Sequence, residues 1–244
     1  MGRWPSKLRK KIEQLGREDE RAKDFFLGVI REMILVYGRA RTQKRISDRV
    51  IRGRAASVSS HFEALLSKWI VNRLPERYIA FVDFPVTCER KDLRNKTFYP
   101  DILFIEESAG EKRLRGVFEL KLDLGYSDNE ITTRLESMVS EFESVGMISY
   151  RPNRQKKSER QFIAVPSDVF LKIVVLSTAN DHGRRNLYQK AEEAGLITYL
   201  ITNLHPNDED LQKNPFELMF QVINDTQTID SWKTLISEVT KELS

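Results

Sequence analysis

Hydrophobic residues at Phe26, Val29, Ile30, Met33, Ile34 and Tyr37 recur at spacings of three and four, which predicts a helix over Asp19 to Gly38. Its apolar stripe is wide, so the helix is expected to be buried against the body of the protein or another subunit. A second helical pattern runs from Ser59 to Leu74, with Phe62, Leu65, Leu66, Trp69 and Ile70 on one side and Pro75 marking its end. The rhythm then changes. Tyr78 to Thr87, Asp101 to Glu106 and Leu114 to Leu122 are short, rich in β-branched and aromatic residues, and read as strands. Between the last two, Ser108-Ala109-Gly110 reads as a hairpin turn.

Further on, a helix is expected from Asn129 to Val145 and a polar, basic loop from Tyr150 to Gln161. The very apolar Leu171 to Leu176 reads as a buried strand, followed by a helix from Arg184 to Ala194 and a strand from Ile197 to Ile201. An acidic tail from His205 closes with a helix from Asp230 to Leu243. The order α–β–β–β–α–β–α–β predicts an α/β fold, a mixed sheet flanked by helices. The expected organisation is a basic helical N-terminal extension over 1–58 for partner contact or dimerisation, a core over 59–204, and a helical tail over 205–244 packed on the core.

Composition narrows the chemistry. With 40% hydrophobic residues the 244-residue chain can bury a core. A single cysteine, Cys88, excludes an intramolecular disulfide framework and a Cys-rich zinc site. His61, His182 and His205 are far apart and form no metal-binding pair. Phe25 to Tyr37 is interrupted by Gly28, Arg31 and Glu32, so no membrane span is expected, and a reducing, cytoplasmic setting is. The net charge of +4 conceals an asymmetry. Residues 1–60 carry 16 Lys and Arg against 7 Asp and Glu, a local +9, while the rest of the chain carries −5. A basic quarter suits a polyanionic partner or a solvated helical face.

The informative segment is Tyr99-Pro100-Asp101 followed, seventeen residues on, by Glu119-Leu120-Lys121. Side chains alternate along a strand, so Glu119 and Lys121 share a face. A hairpin centred near Gly110 sets Asp101 across from Glu119, with Ile102, Phe104, Phe118, Leu120 and Leu122 on the opposite, core-facing side. A slip of one residue breaks this convergence. Paired carboxylates suit a divalent cation that polarises a phosphoryl oxygen and acidifies a bound water, and a lysine beside it orients that water or takes its proton. The competing reading is an amphipathic strand whose charged side faces solvent.

These residues resemble the PD-(D/E)xK nuclease superfamily, which includes most restriction endonucleases. The match covers Pro100, Asp101, Glu119 and Lys121, and extends to the element order from Ser59 to Ile201. The resemblance implies that Asp101, Glu119 and the backbone carbonyl of Leu120 bind Mg²⁺, with Mn²⁺ as a substitute, and that Lys121 serves the attacking water. Glu63 is the counterpart of the helix acid many members carry, a ligand directly or through water, or simply a solvated residue. Asp123 is expected at a strand end and His182 in a turn.

The activity so implied is Mg²⁺-dependent hydrolysis of double-stranded DNA by a homodimer, leaving 5′-phosphate and 3′-hydroxyl ends, in restriction or another prokaryotic defence. Two alternatives are a repair or recombination nuclease acting on structured DNA, and a DNA-binding module without chemistry. Phosphate contact is then expected from the basic stretch Arg39, Arg41, Lys44, Arg45, Arg49, Arg52 and Arg54, and from the loop residues Arg151, Arg154, Lys156 and Lys157.

Overall fold

The computed structural model describes residues 4–42, 45–47, 50–51, 58–89, 94–123, 131–152, 159–178, 189, 191–202 and 214–243. For 37–42, 45–47 and 50–51 it describes the backbone alone. The first helix, α1 (Ser6–Glu18), has only Leu8, Ile12 and Leu15 as its buried stripe. Their spacing of four and three is itself helical, yet no helix is predicted there.

Asp19 then starts α2 (Glu20–Phe25), its carboxylate accepting from the N–H groups of Arg21 at 2.9 Å and Ala22 at 3.1 Å. The single helix expected over 19–38 is α2, a π-helical turn at Phe26–Ile30, and α3 (Arg31–Thr42). At that wider turn Gly28 lies against Trp69: a Cβ on Gly28 would stand 3.0 Å from the ring's Cδ1. A two-stranded ribbon follows, β1 (Arg45–Ser47) with β2 (Val50–Ile51), and then α4 (Ser59–Val71).

The stretch expected as one strand over 78–87 is two, β3 (Tyr78–Val82) and β4 (Val86–Cys88), separated where Asp83 takes a φ of 45°. After β5 (Lys96–Phe98) come β6 (Ile102–Ser108) and β7 (Glu111–Lys121), the hairpin anticipated from the sequence. Helix α5 (Ile131–Val145) leads to β8 (Met147–Tyr150) and β9 (Gln161–Ala164), then β10 (Phe170–Ser177) and β11 (Ile197–Ile201). Two helices follow, α6 (Pro215–Val222) and α7 (Thr226–Leu243).

Strands β3 to β11 form one mixed sheet. β7 pairs parallel with β10 and antiparallel with β6, β10 pairs parallel with β11, and β3 pairs antiparallel with β6. Helices cover both faces, the architecture expected of a restriction endonuclease-like core. On one face Phe104, Phe118, Leu120 and Val174 pack against α1 to α4, α6 and α7. On the other, Leu103, Val117, Ile173 and Val175 pack against α5.

The N-terminal helices belong to the first of these cores. Phe25 and Phe26 lie with ring centroids 5.9 and 6.0 Å from that of Trp232 on α7, and Trp232 donates its Nε1–H to the Leu200 carbonyl at 2.7 Å. The packing of α1 to α3 is thus continuous with the sheet core. Among the described residues no helix is long and apolar enough to cross a membrane.

Candidate active site

The site is assembled by a hairpin with one residue too many. Ala109 and Gly110 form its turn with φ of 51° and 82°, the left-handed pair that a two-residue turn between twisted strands requires. From that tip Ser108 pairs with Glu111 and Ile105 with Leu114. Continued without a break, this register would set Asp101 opposite Phe118. A bulge at Arg115 intervenes, so Phe104 pairs with Gly116 and Ile102 with Phe118. One step further, Asp101 comes level with Glu119. The bulge also keeps Leu114 and Val117 on the α5 face and Phe118 and Leu120 on the other.

Asp101 Oδ2 accepts from the backbone N–H of Leu120 at 2.6 Å, which fixes the carboxylate across the strand pair. Glu119 is buried, and its Oε1 receives both Lys121 Nζ at 2.8 Å and a terminal guanidinium nitrogen of Arg134, from the first turn of α5. Burial, then the nearby charge of Glu119, pushes the Asp101 carboxyl up to about 6, against the Leu120 hydrogen bond and the charges of Lys121 and Arg134. Glu63 on α4 is 9% exposed. Burial and the negative charges of Asp101 and Asp83 push it up to about 7, with Lys121 acting in the opposite direction. These are acids crowded at the end of the sheet where β3 stops, β6 begins and β7 stops.

Asp101, Glu119, Lys121 and Arg134 line a groove of about 470 Å³ together with Lys96, Tyr99 and residues of α5. Among solved structures the chain is similar to P. aeruginosa ATCC27853 NucC in its cAAA-bound form: 11% identity, TM-score 0.40, covering 96% of this chain and 100% of that one. No family model and no curated protein matches the chain. The chemistry of the groove therefore stands on its own residues.

The donor set suits a hard divalent cation. Two carboxylates line one groove, with a backbone carbonyl at Leu120 between Glu119 and Lys121 in sequence, and Mg²⁺ commonly takes only one or two carboxylates and keeps waters. The Asp101 and Glu63 carboxyls are raised by burial first and by neighbouring carboxylates second, and a cation seated beside them would favour their ionised forms on both counts. Among the described residues no three of His, Cys, Asp and Glu stand within metal-binding distance of one another. Glu63 meets Asp101 through its field and does not line the groove.

Of the expected phosphate contacts, Arg151 is exposed just after β8. Arg39, Arg41 and Arg45 fall where only backbone is described, and Lys44, Arg49, Arg52, Arg54, Arg154, Lys156 and Lys157 lie outside the described residues. The same holds for most of the helix expected over 184–194 and for His182 and His205. Two residues were not legible as site residues. Arg134 is thirteen positions beyond Lys121 on a helix whose phase the sequence leaves open, and Asp83 reads as the interior of a continuous strand.

Proposed function

We propose that the protein is a Mg²⁺-dependent endonuclease that hydrolyses phosphodiester bonds in double-stranded DNA, acting as a homodimer in restriction or another prokaryotic defence. The reading is carried by one observation: Asp101 and Glu119 come level across the β6–β7 hairpin in one groove with Lys121. Asp101, Glu119 and the Leu120 carbonyl would hold the ion, with Glu63 acting directly or through water. Bound there, the ion supplies Lewis-acid polarisation and a water acidic enough to attack at neutral pH.

The chain's own residues do the rest. The Leu120 N–H holds Asp101 in place, so the carboxylate needs no reorganisation when it is called on. Lys121, on the same face as Glu119 and paired with it as an ammonium, donates to the attacking water to orient it and offsets charge developing on the phosphate, while the water's proton leaves to solvent. The acids on the groove do not repel the substrate once a cation is seated among them. Phosphate grip falls to Arg39, Arg41, Lys44, Arg45, Arg49, Arg52 and Arg54, and to Arg151, Arg154, Lys156 and Lys157, which give the chain's basic quarter its use.

Incubation of supercoiled plasmid with Mg²⁺ tests this: linear product is expected from the parent and none from Asp101→Ala, Glu119→Gln or Lys121→Ala, with Ca²⁺-supported duplex binding retained in Lys121→Ala. Cleavage by Asp101→Ala at the parent's rate would overturn the site. Binding without cleavage in either Mg²⁺ or Mn²⁺ would leave a DNA-binding module. Discrete fragments would favour restriction over repair of structured DNA.

A further inference from the structure

Arg134 is placed oddly for a structural residue. It sits in the first turn of α5, where the helix dipole disfavours a cation. Its side chain is 63% exposed while the carboxylate it touches is 7% exposed. The oxygen it contacts, Glu119 Oε1, already has a cation, Lys121 Nζ at 2.8 Å. Only one of its five N–H donors is engaged with a described residue, and the side chain borders the groove that holds Asp101, Glu119 and Lys121.

We propose that Arg134 is the residue that binds the phosphate being cut, and that its contact with Glu119 Oε1 is a resting position which it leaves when substrate is engaged. The inference rests on the nuclease reading above and adds a residue to it. Glu119 Oε1 already faces two cationic side chains, and a divalent cation at the same carboxylate adds positive charge beside them, which favours release of one. Of the two side chains, the guanidinium is the more exposed, 63% against 27% for Lys121, and so the one less held by its surroundings. Displaced from the carboxylate, the planar fork has its donors at the groove mouth, where a phosphodiester offers two non-bridging oxygens in matching geometry. Arg134 thus competes with the cation before substrate arrives and acts with it afterwards.

The test uses full-length protein with Arg134→Gln and Arg134→Lys, and reads metal and duplex binding separately from cleavage. Calorimetric titration with Mn²⁺ in the absence of DNA is expected to show Arg134→Gln binding about threefold tighter than the parent, the scale of one solvent-screened ion pair removed. Duplex affinity in Ca²⁺ is expected to fall, with the slope of log affinity against log salt reduced by about one. Arg134→Lys restores the slope but not cleavage, because an ammonium keeps the charge and loses the fork.

If Arg134→Gln binds Mn²⁺ more weakly than the parent and keeps the parent's salt slope, Arg134 is a clamp on Glu119 and the proposal is wrong. If the parent binds neither Mn²⁺ nor duplex, the nuclease reading falls first and takes the proposal with it. If the parent binds both and the variants match it throughout, only the proposal falls.

Discussion

Replacing Glu63 by Gln removes a charge and keeps the volume, and its effect on stability should depend on pH in a stated direction. Glu63 is 9% exposed and is pushed from 4.5 up to about 7, by burial first and then by Asp101 and Asp83. At about 1.4 kcal/mol per tenfold change in proton affinity, that shift penalises the ionised form by about 3 kcal/mol. Solvent at the neighbouring groove screens part of this, leaving about 1 to 2 kcal/mol.

Below pH 4.5 the carboxyl is protonated in folded and unfolded chains alike, and no penalty applies. As pH rises from 4.5 to about 7 the unfolded chain gives up its proton first and the folded state loses stability. Above 7 the loss is complete. Urea unfolding in EDTA, at pH 4.5 and pH 8, should therefore show Glu63→Gln gaining about 1 to 2 kcal/mol on the parent between the two conditions. An offset equal at both pH values would refute the argument, since a packing effect does not titrate. Saturating Mg²⁺ should reverse the order at pH 8, because the parent then gains more from the ion than the variant does.

Three further outcomes concern the scaffold and are read by denaturant unfolding. Ala109 holds a φ of 51°, so Ala109→Asn should stabilise by about 1 kcal/mol, and no change would mean that the turn bears no strain. Lys172 is buried against Glu238 and the Gly195 carbonyl. Glu238→Ala should therefore cost about 3 kcal/mol by leaving a buried ammonium short of a partner, whereas Lys172→Met should cost less. Thr228 Oγ1 accepts from the buried Thr202 N–H at 3.0 Å and donates to Asp225 at 2.8 Å, so Thr228→Val should cost about 2 kcal/mol, and Thr228→Ser much less.

The sheet was readable where apolar residues were dense. Ile197–Ile201 is a strand over the predicted residues, and Ser59–Val71 matches its helix to within one turn, because burial on one or both faces leaves few polar interruptions. The misses share a cause. Lys96–Phe98 and Met147–Tyr150 are strands made by pairing with Val86–Cys88, close by for the first and far back in the chain for the second, not by their own pattern. Pro215–Val222 was hidden inside an acidic tail, although Asn214 and Pro215 are an N-cap and first-turn pair.

At the site, Asp101 level with Glu119 was anticipated from a hairpin centred near Gly110. The tip alone would not have produced it, since the turn and the bulge together set the register. Arg134 was beyond reach because the apolar stripe of α5, Ile131, Leu135, Met138 and Phe142, says which side meets the sheet and not which flanking polar residue reaches the end of a strand.

The bulge at Arg115 also bears on which hereditary changes this hairpin can absorb. Arg115 is the spare residue. Loss of that one codon leaves Ile105 beside Leu114 and Phe104 beside Gly116, with Asp101 still level with Glu119. Loss of the codon for Val117 or Phe118 sets Glu119 level with Ile102 and turns it onto the face opposite Asp101. A lineage carrying this fold can therefore shed its irregularity and keep its carboxylates together. A loss two residues away separates the carboxylates and points Glu119 towards the core that Phe118 and Leu120 fill.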